Sequence, residues 1–143
     1  MLSKSCEYAI KALIYLAKLA PSNSKQGFKE ISDAINAPQS FMAKVLQLLV
    51  QRGLLLSAKG PGGGFYLPEG YRAFTVAEII KAIDGEHIFN SCILGLEVCS
   101  AKKPCPLHDA YVPIKEQLVT MLEQYTLEQF NAGMIDRVYF FKR

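Results

Sequence analysis

The run Lys59-Gly60-Pro61-Gly62-Gly63-Gly64 constrains this 143-residue chain more than any other feature. Four glycines and a proline in six positions cannot continue a helix: glycine loses the most backbone freedom there, and proline removes a donor. The flanking stretches Leu54–Ser57 and Phe65–Leu67 are short and apolar, so the segment reads as two short strands joined by a tight turn. A glycine turn also lets the backbone approach a second backbone closely and aim its amides at an anion.

The residues before the hairpin are helical. From about Ser3 to Ala20, the residues Tyr8, Ala9, Ala12, Leu13, Leu16 and Ala20 recur at helical spacing, with Lys4, Lys11 and Lys18 on another face. Pro21-Ser22-Asn23-Ser24 ends this helix. A second helix is predicted over Phe28–Asn36, directing Phe28, Ile31 and Ile35 inward. Ala37-Pro38 imposes a turn and suits the start of a third helix, which runs to Arg52 with Met42, Val45, Leu46 and Leu49 inward. Two short helices about a tight turn, followed directly by a hairpin, make a winged helix-turn-helix, a fold that sets its second helix in a DNA groove. The exposed stripe of that helix is then Ser40, Ala43, Lys44 and Gln47, with Gln39 at its start. Gln39 and Gln47 suit adenine edges, Ser40 is permissive, Lys44 suits guanine or a phosphate, and Ala43 suits a thymine methyl. Lys59, Gly60, Pro61, Gly62, Gly63 and Gly64 would hold the wing on the sugar-phosphate backbone.

The charge distribution agrees with this reading. Residues 1–72 carry nine Lys/Arg against four acids, whereas residues 73–143 carry seven against nine. A basic first half beside a mildly acidic second half suits a polyanion-binding module joined to another element. No apolar run approaches the ~20 residues that span a bilayer, and the first twenty residues do not resemble a signal peptide. The expectation is a cytoplasmic protein without a membrane partner. Two histidines and no phosphate-binding fingerprint after a strand argue against an enzyme.

After the hairpin, Thr75-Val76-Ala77-Glu78 forms a capping box that opens a helix through Ile79, Ile80 and Ile83, closed by Asp84-Gly85. Residues 86–106 show no regular period. Leu107, Tyr111, Ile114, Leu118, Met121 and Tyr125 then follow alternating steps of four and three, the seam of a coiled-coil-like helix whose core is partly shared with a partner, or else packed only within its own chain. Thr126-Leu127-Glu128-Gln129 starts a brief last helix, and the aromatic tail Val138–Arg143 is expected to pack on the body or on a partner. The fold class is thus mainly α with a small β-hairpin wing. Its predicted division is residues 1–72 for the DNA-binding domain and 73–143 for the linker helix, loop and dimerisation helix.

Cys92, Cys99, Cys105 and His108 fall within seventeen positions, separated by six, five and two residues. Soft thiolates in a loop suit iron–sulfur clusters or zinc. Zinc is disfavoured by the lack of a close Cys-x₂₋₄-Cys knuckle. A cysteine-based redox sensor without metal is the alternative. Cys6, on the first helix, reads as a small buried side chain.

These features together resemble the BadM/Rrf family of winged-helix regulators, which includes iron–sulfur-cluster and nitric-oxide-sensing members. The resemblance rests on Tyr8-Ala9, Lys59–Phe65, Thr75–Ile80, Ala82-Ile83-Asp84-Gly85 and Cys105-Pro106-Leu107-His108. It implies a symmetric homodimer held by the long C-terminal helix on a palindromic operator in double-stranded DNA. It also implies a labile iron–sulfur cluster, [2Fe–2S] with [4Fe–4S] as the alternative, that can be missing from purified protein. Cys92, Cys99 and Cys105 would be ligands, and the fourth would be His108 or Glu7. Two departures stand out: Ala43 replaces an acidic residue of the iron–sulfur regulators, and the Cys92–Cys99 spacing is one residue longer. A winged-helix protein-interaction factor without DNA is the remaining reading.

Overall fold

The computed structural model describes residues 1–131. The expectation placed on the aromatic tail therefore lies outside the described residues. Helix α1 spans Lys4–Leu19 and runs into a 3₁₀ turn at Ala20–Ser22; α2 spans Phe28–Ile35 and α3 Gln39–Gln51. Strands β1 (Leu56–Ala58) and β2 (Gly64–Tyr66) form the hairpin, followed by a 3₁₀ turn at Tyr71–Ala73. Then come α4 (Val76–Asp84), α5 (His87–Asn90), α6 (His108–Gln124) and a last 3₁₀ turn at Leu127–Phe130. The chain is mainly helical with one small antiparallel sheet, the architecture predicted from its periodicities.

Helix α1 is the spine of the core. Its alanines at positions 9, 12 and 17 are fully buried and let neighbouring helices come close, while Leu13 and Leu16 fill the space between them. Ile31 and Ile35 of α2 and Met42, Val45, Leu46 and Leu49 of α3 close on this face, with Leu54, Leu55, Ile79 and Leu127 completing the cluster. The inward stripe predicted for α3 is the buried one. Phe28 departs from expectation: it is 36% exposed, because it opens α2 ahead of the face that Ile31 begins.

The turn between α2 and α3 relies on two residues. Asn36 adopts the left-handed conformation (φ 56°) and ends α2, while Ala37 N–H donates to Ser32 C=O at 2.9 Å. Pro38 is the N-cap of α3 rather than its first residue, so the helix begins at Gln39. At the far end, Leu54 N–H donates to Leu49 C=O and Gly53 N–H to Val50 C=O, a Schellman turn that reverses the chain. Leu54 and Leu55 are drawn into the core by this reversal. The ladder consequently starts two residues later than expected, pairing Leu56 with Tyr66, Ser57 with Phe65 and Ala58 with Gly64.

Both capping boxes are formed. Thr75 Oγ1 accepts from Glu78 N–H at 3.1 Å, and Thr75 N–H donates to Glu78 Oε2 at 2.7 Å. Thr126 N–H donates to Gln129 Oε1 at 2.8 Å. A second cluster of Cys6, Ala77, Ile80 and Leu122, with Leu118 packed against it, ties α4 and α6 to the start of α1. Helix α5 lies inside the segment expected to be irregular; four residues are too few to display a period. On α6 the predicted seam splits. Leu118 turns inward, whereas Leu107, Ile114, Met121 and Tyr125 are each 46–63% exposed. No helix among the described residues is long and apolar enough to cross a membrane.

Candidate nucleic-acid interface and cysteine loop

Burying one face of α3 leaves the opposite face outward. Gln39, Ser40, Lys44 and Gln47 are exposed and Ala43 is half-buried between them. Gln47, Val50 and Gln51 of α3 line a shallow groove with Ser57 and Phe65 of the hairpin, so helix and hairpin share one continuous surface. At the turn, Lys59, Gly60, Pro61 and Gly62 are exposed and Gly63 and Gly64 half-buried. Steric demand explains the last two. A Cβ on Gly63 would lie 2.3 Å from Ala58 O, and Gly64 (φ +141°) passes so close to Gln26 that a Cβ would sit 2.8 Å from its backbone.

That close pass marks a feature not legible in the sequence. Gln26 N–H donates to Phe65 C=O at 3.0 Å and Phe65 N–H donates to Gln26 C=O at 2.7 Å, so residue 26 adds a bridge at the free edge of β2. Lys25 is thereby placed with its Nζ 5.1 Å from the centroid of the Tyr66 ring. Phe41 was also missed. It is 37% exposed on α3 and meets Tyr8 edge to face, with ring centroids 5.5 Å apart. Its position on the outward flank of the α3 period was the available signal.

The cysteine loop joins α5 to α6. Cys99 N–H donates to Asn90 C=O at 3.1 Å, Gly95 N–H to Cys92 C=O at 3.0 Å, and His108 N–H to Cys105 C=O at 3.0 Å. These bonds bring the four predicted ligands together as two pairs. Cys99 Sγ lies 3.5 Å from His108 Nδ1. Cys92 and Cys105, both buried, are close enough to set one another's acidity. The Leu94 amide lowers the Cys92 thiol below its usual value, with the contact to Cys105 adding to it, while the contact to Cys92 raises Cys105. No three His, Cys, Asp or Glu side chains among the described residues converge as a preformed site for one metal ion. Glu7, the alternative fourth ligand, stands outside both pairs. Lys4 Nζ holds its carboxylate at 2.7 Å, and this hydrogen bond lowers its pKa.

The arrangement has counterparts among known proteins. Across 88% of both chains, an HTH-type transcriptional regulator of Aquifex aeolicus is 32% identical. IscR of Xenorhabdus nematophila is 27% identical over 94% of this chain and 82% of its own. Among solved structures, CymR of B. subtilis, the global cysteine regulator, superposes with a TM-score of 0.72 at 23% identity, covering 90% of this chain and 93% of its own. IscR of T. potens superposes at 0.67 and 19% identity, covering 89% and 82%. The family model Rrf2, described as iron-dependent transcriptional regulator, matches residues 2–133. With this match over the winged helix, the cysteine loop and α6, the chain belongs to the Rrf2 family of DNA-binding transcriptional regulators.

Proposed function

We propose that the protein is a cytoplasmic, homodimeric repressor whose hold on a palindromic operator is set by an iron–sulfur cluster in the cysteine loop. In this reading Gln39, Ser40, Ala43, Lys44 and Gln47 read base edges, and Lys59 with the Gly60–Gly64 turn grips the backbone. The exposed row Leu107, Ile114 and Met121, with Tyr125 one turn further on, supports the dimer, because an apolar row repeating every seven residues on a helix is buried most simply by its own copy.

The observation that carries the cluster reading is the two-by-two grouping of donors. A [2Fe–2S] cluster takes two protein ligands on each iron, and Cys92/Cys105 with Cys99/His108 match that division. The donor types are the soft set such a cluster needs. When bound, the cluster would supply sensitivity to iron–sulfur status, redox state or nitric oxide. The protein's own part is positional: His108 opens α6, so whatever orders the loop also sets where the dimer helix begins. Relatives named IscR support this reading.

One observation favours a second reading. Cys92 and Cys105 are near enough to shift one another's acidity, and a neighbouring dithiol suits direct oxidation to a disulfide, with two electrons and two protons passing to a peroxide-class oxidant. The neighbour described as a global cysteine regulator fits this thiol-based alternative.

Purification without oxygen separates the two. Brown protein with bound iron and sulfide, losing its absorption when Cys92 or Cys105 is replaced by Ser, is the expected result. Colourless protein that takes up no iron on reconstitution, and loses two free thiols to peroxide, would replace the cluster with the dithiol.

A further inference from the structure

We propose that Lys25 is a phosphate-contacting residue, held beside β2 of the wing by the bridge that Gln26 makes to Phe65; this rests on the family's DNA binding. The argument begins at Gly64. Its φ of +141° and the 2.8 Å approach of its would-be Cβ to the Gln26 backbone mean that the hairpin is shaped to accept residue 26 alongside it. Two hydrogen bonds between Gln26 and Phe65 complete the attachment. In an antiparallel ladder, registering 26 opposite 65 sets 25 opposite 66, and cross-strand neighbours share a face. The Lys25 ammonium accordingly rests 5.1 Å from the Tyr66 ring centroid.

This contact gives the cation what a phosphate clamp needs. A ring face holds the long side chain in place without neutralising it, which lowers the entropy lost on meeting an anion. Lys25 is exposed, and among the described residues no carboxylate forms a salt bridge with it. The bridging residue Gln26 lies two strand spacings, ~10 Å, from β1, the strand that leads into Lys59. The wing thus carries two cations, Lys25 beside β2 and Lys59 at the end of β1. The nearby start of α2 does not compete for the anion. Glu30 turns its own carboxylate over it, so close that a Cβ on Gly27 would meet Glu30 Oε2 at 2.3 Å.

The test is a salt titration of full-length protein on a mixed-sequence duplex of about 30 base pairs, comparing wild type, Lys25→Ala and Lys25→Arg. A phosphate contact predicts that Lys25→Ala lowers the slope of log affinity against log salt by about one unit. Binding should weaken about eightfold at 0.1 M salt. Lys25→Arg should restore the slope. An unchanged slope in Lys25→Ala, or an equal loss in both variants, overturns the proposal. A wild type with no salt-dependent affinity at all would remove the DNA-binding reading itself, and this assignment with it.

Discussion

Cys6 shows how surroundings separate one thiol from another. It is fully buried beneath the first turn of α1, and burial, with the Asp84 carboxylate adding to it, pushes its thiol up to about 12 from a usual 9.0. Asp84 is held there by Ser3, whose N–H donates to it at 2.9 Å and whose hydroxyl donates to its other oxygen. Between pH 9 and about 12 the unfolded chain has lost a proton that the folded chain keeps, so stability falls as pH rises through that window. Replacing Cys6 by Ala should cost about 1 kcal/mol near neutrality through lost packing, yet flatten the alkaline decline. Urea midpoints measured from pH 8 to 11 check this, and parallel declines in the two proteins would refute it. That Cys6 is a core residue was legible from the modest hydrophobic character of a free cysteine on the first helix. The Ser3–Asp84 bond was not, because it joins residues 81 positions apart.

The helix-turn-helix and the hairpin were largely legible, since each rests on local chemistry. The run of apolar positions at helical spacing selects the buried face of α3, and its exposed face follows by subtraction. Lys44→Ala and Lys59→Ala should therefore weaken operator binding by 1–3 kcal/mol and by about one unit of salt slope, respectively, with thermal unfolding unchanged. A gel-shift titration in which both variants bind like wild type would clear this face of the role. The strand boundaries were less legible. Leu54 and Leu55 look like strand residues, but burial in the core claims them, and the ladder begins only at Leu56. Phe28 errs in the opposite direction, since an apolar residue at a helix start is not compelled to face inward.

In the proposed homodimer, assembly rests on α6, one face of which is already used within its own chain. Leu118 and Leu122 pack against Cys6, Ala77 and Ile80 of their own chain. Ile114, 63% exposed, lies at the middle of the outward row. An Ile114→Glu substitution leaves the internal cluster untouched but would bury a charge in a symmetric interface, so sedimentation should shift from about twice the 15.9 kDa chain mass to the monomer. Operator affinity should fall by at least tenfold as the second half-site is lost. An unchanged sedimentation coefficient would assign this row to another role. The local code carried α1–α4 and α6, both capping boxes and the glycine wing, because each depends on neighbours within a few residues, while the four loop donors were named by residue type alone. Folding in three dimensions was needed to divide those donors into Cys92/Cys105 and Cys99/His108, to lay Gln26 beside Phe65, and to tie Ser3 to Asp84. Contacts between residues far apart in the chain leave no period or motif in the sequence; they exist only once the core has drawn their elements together.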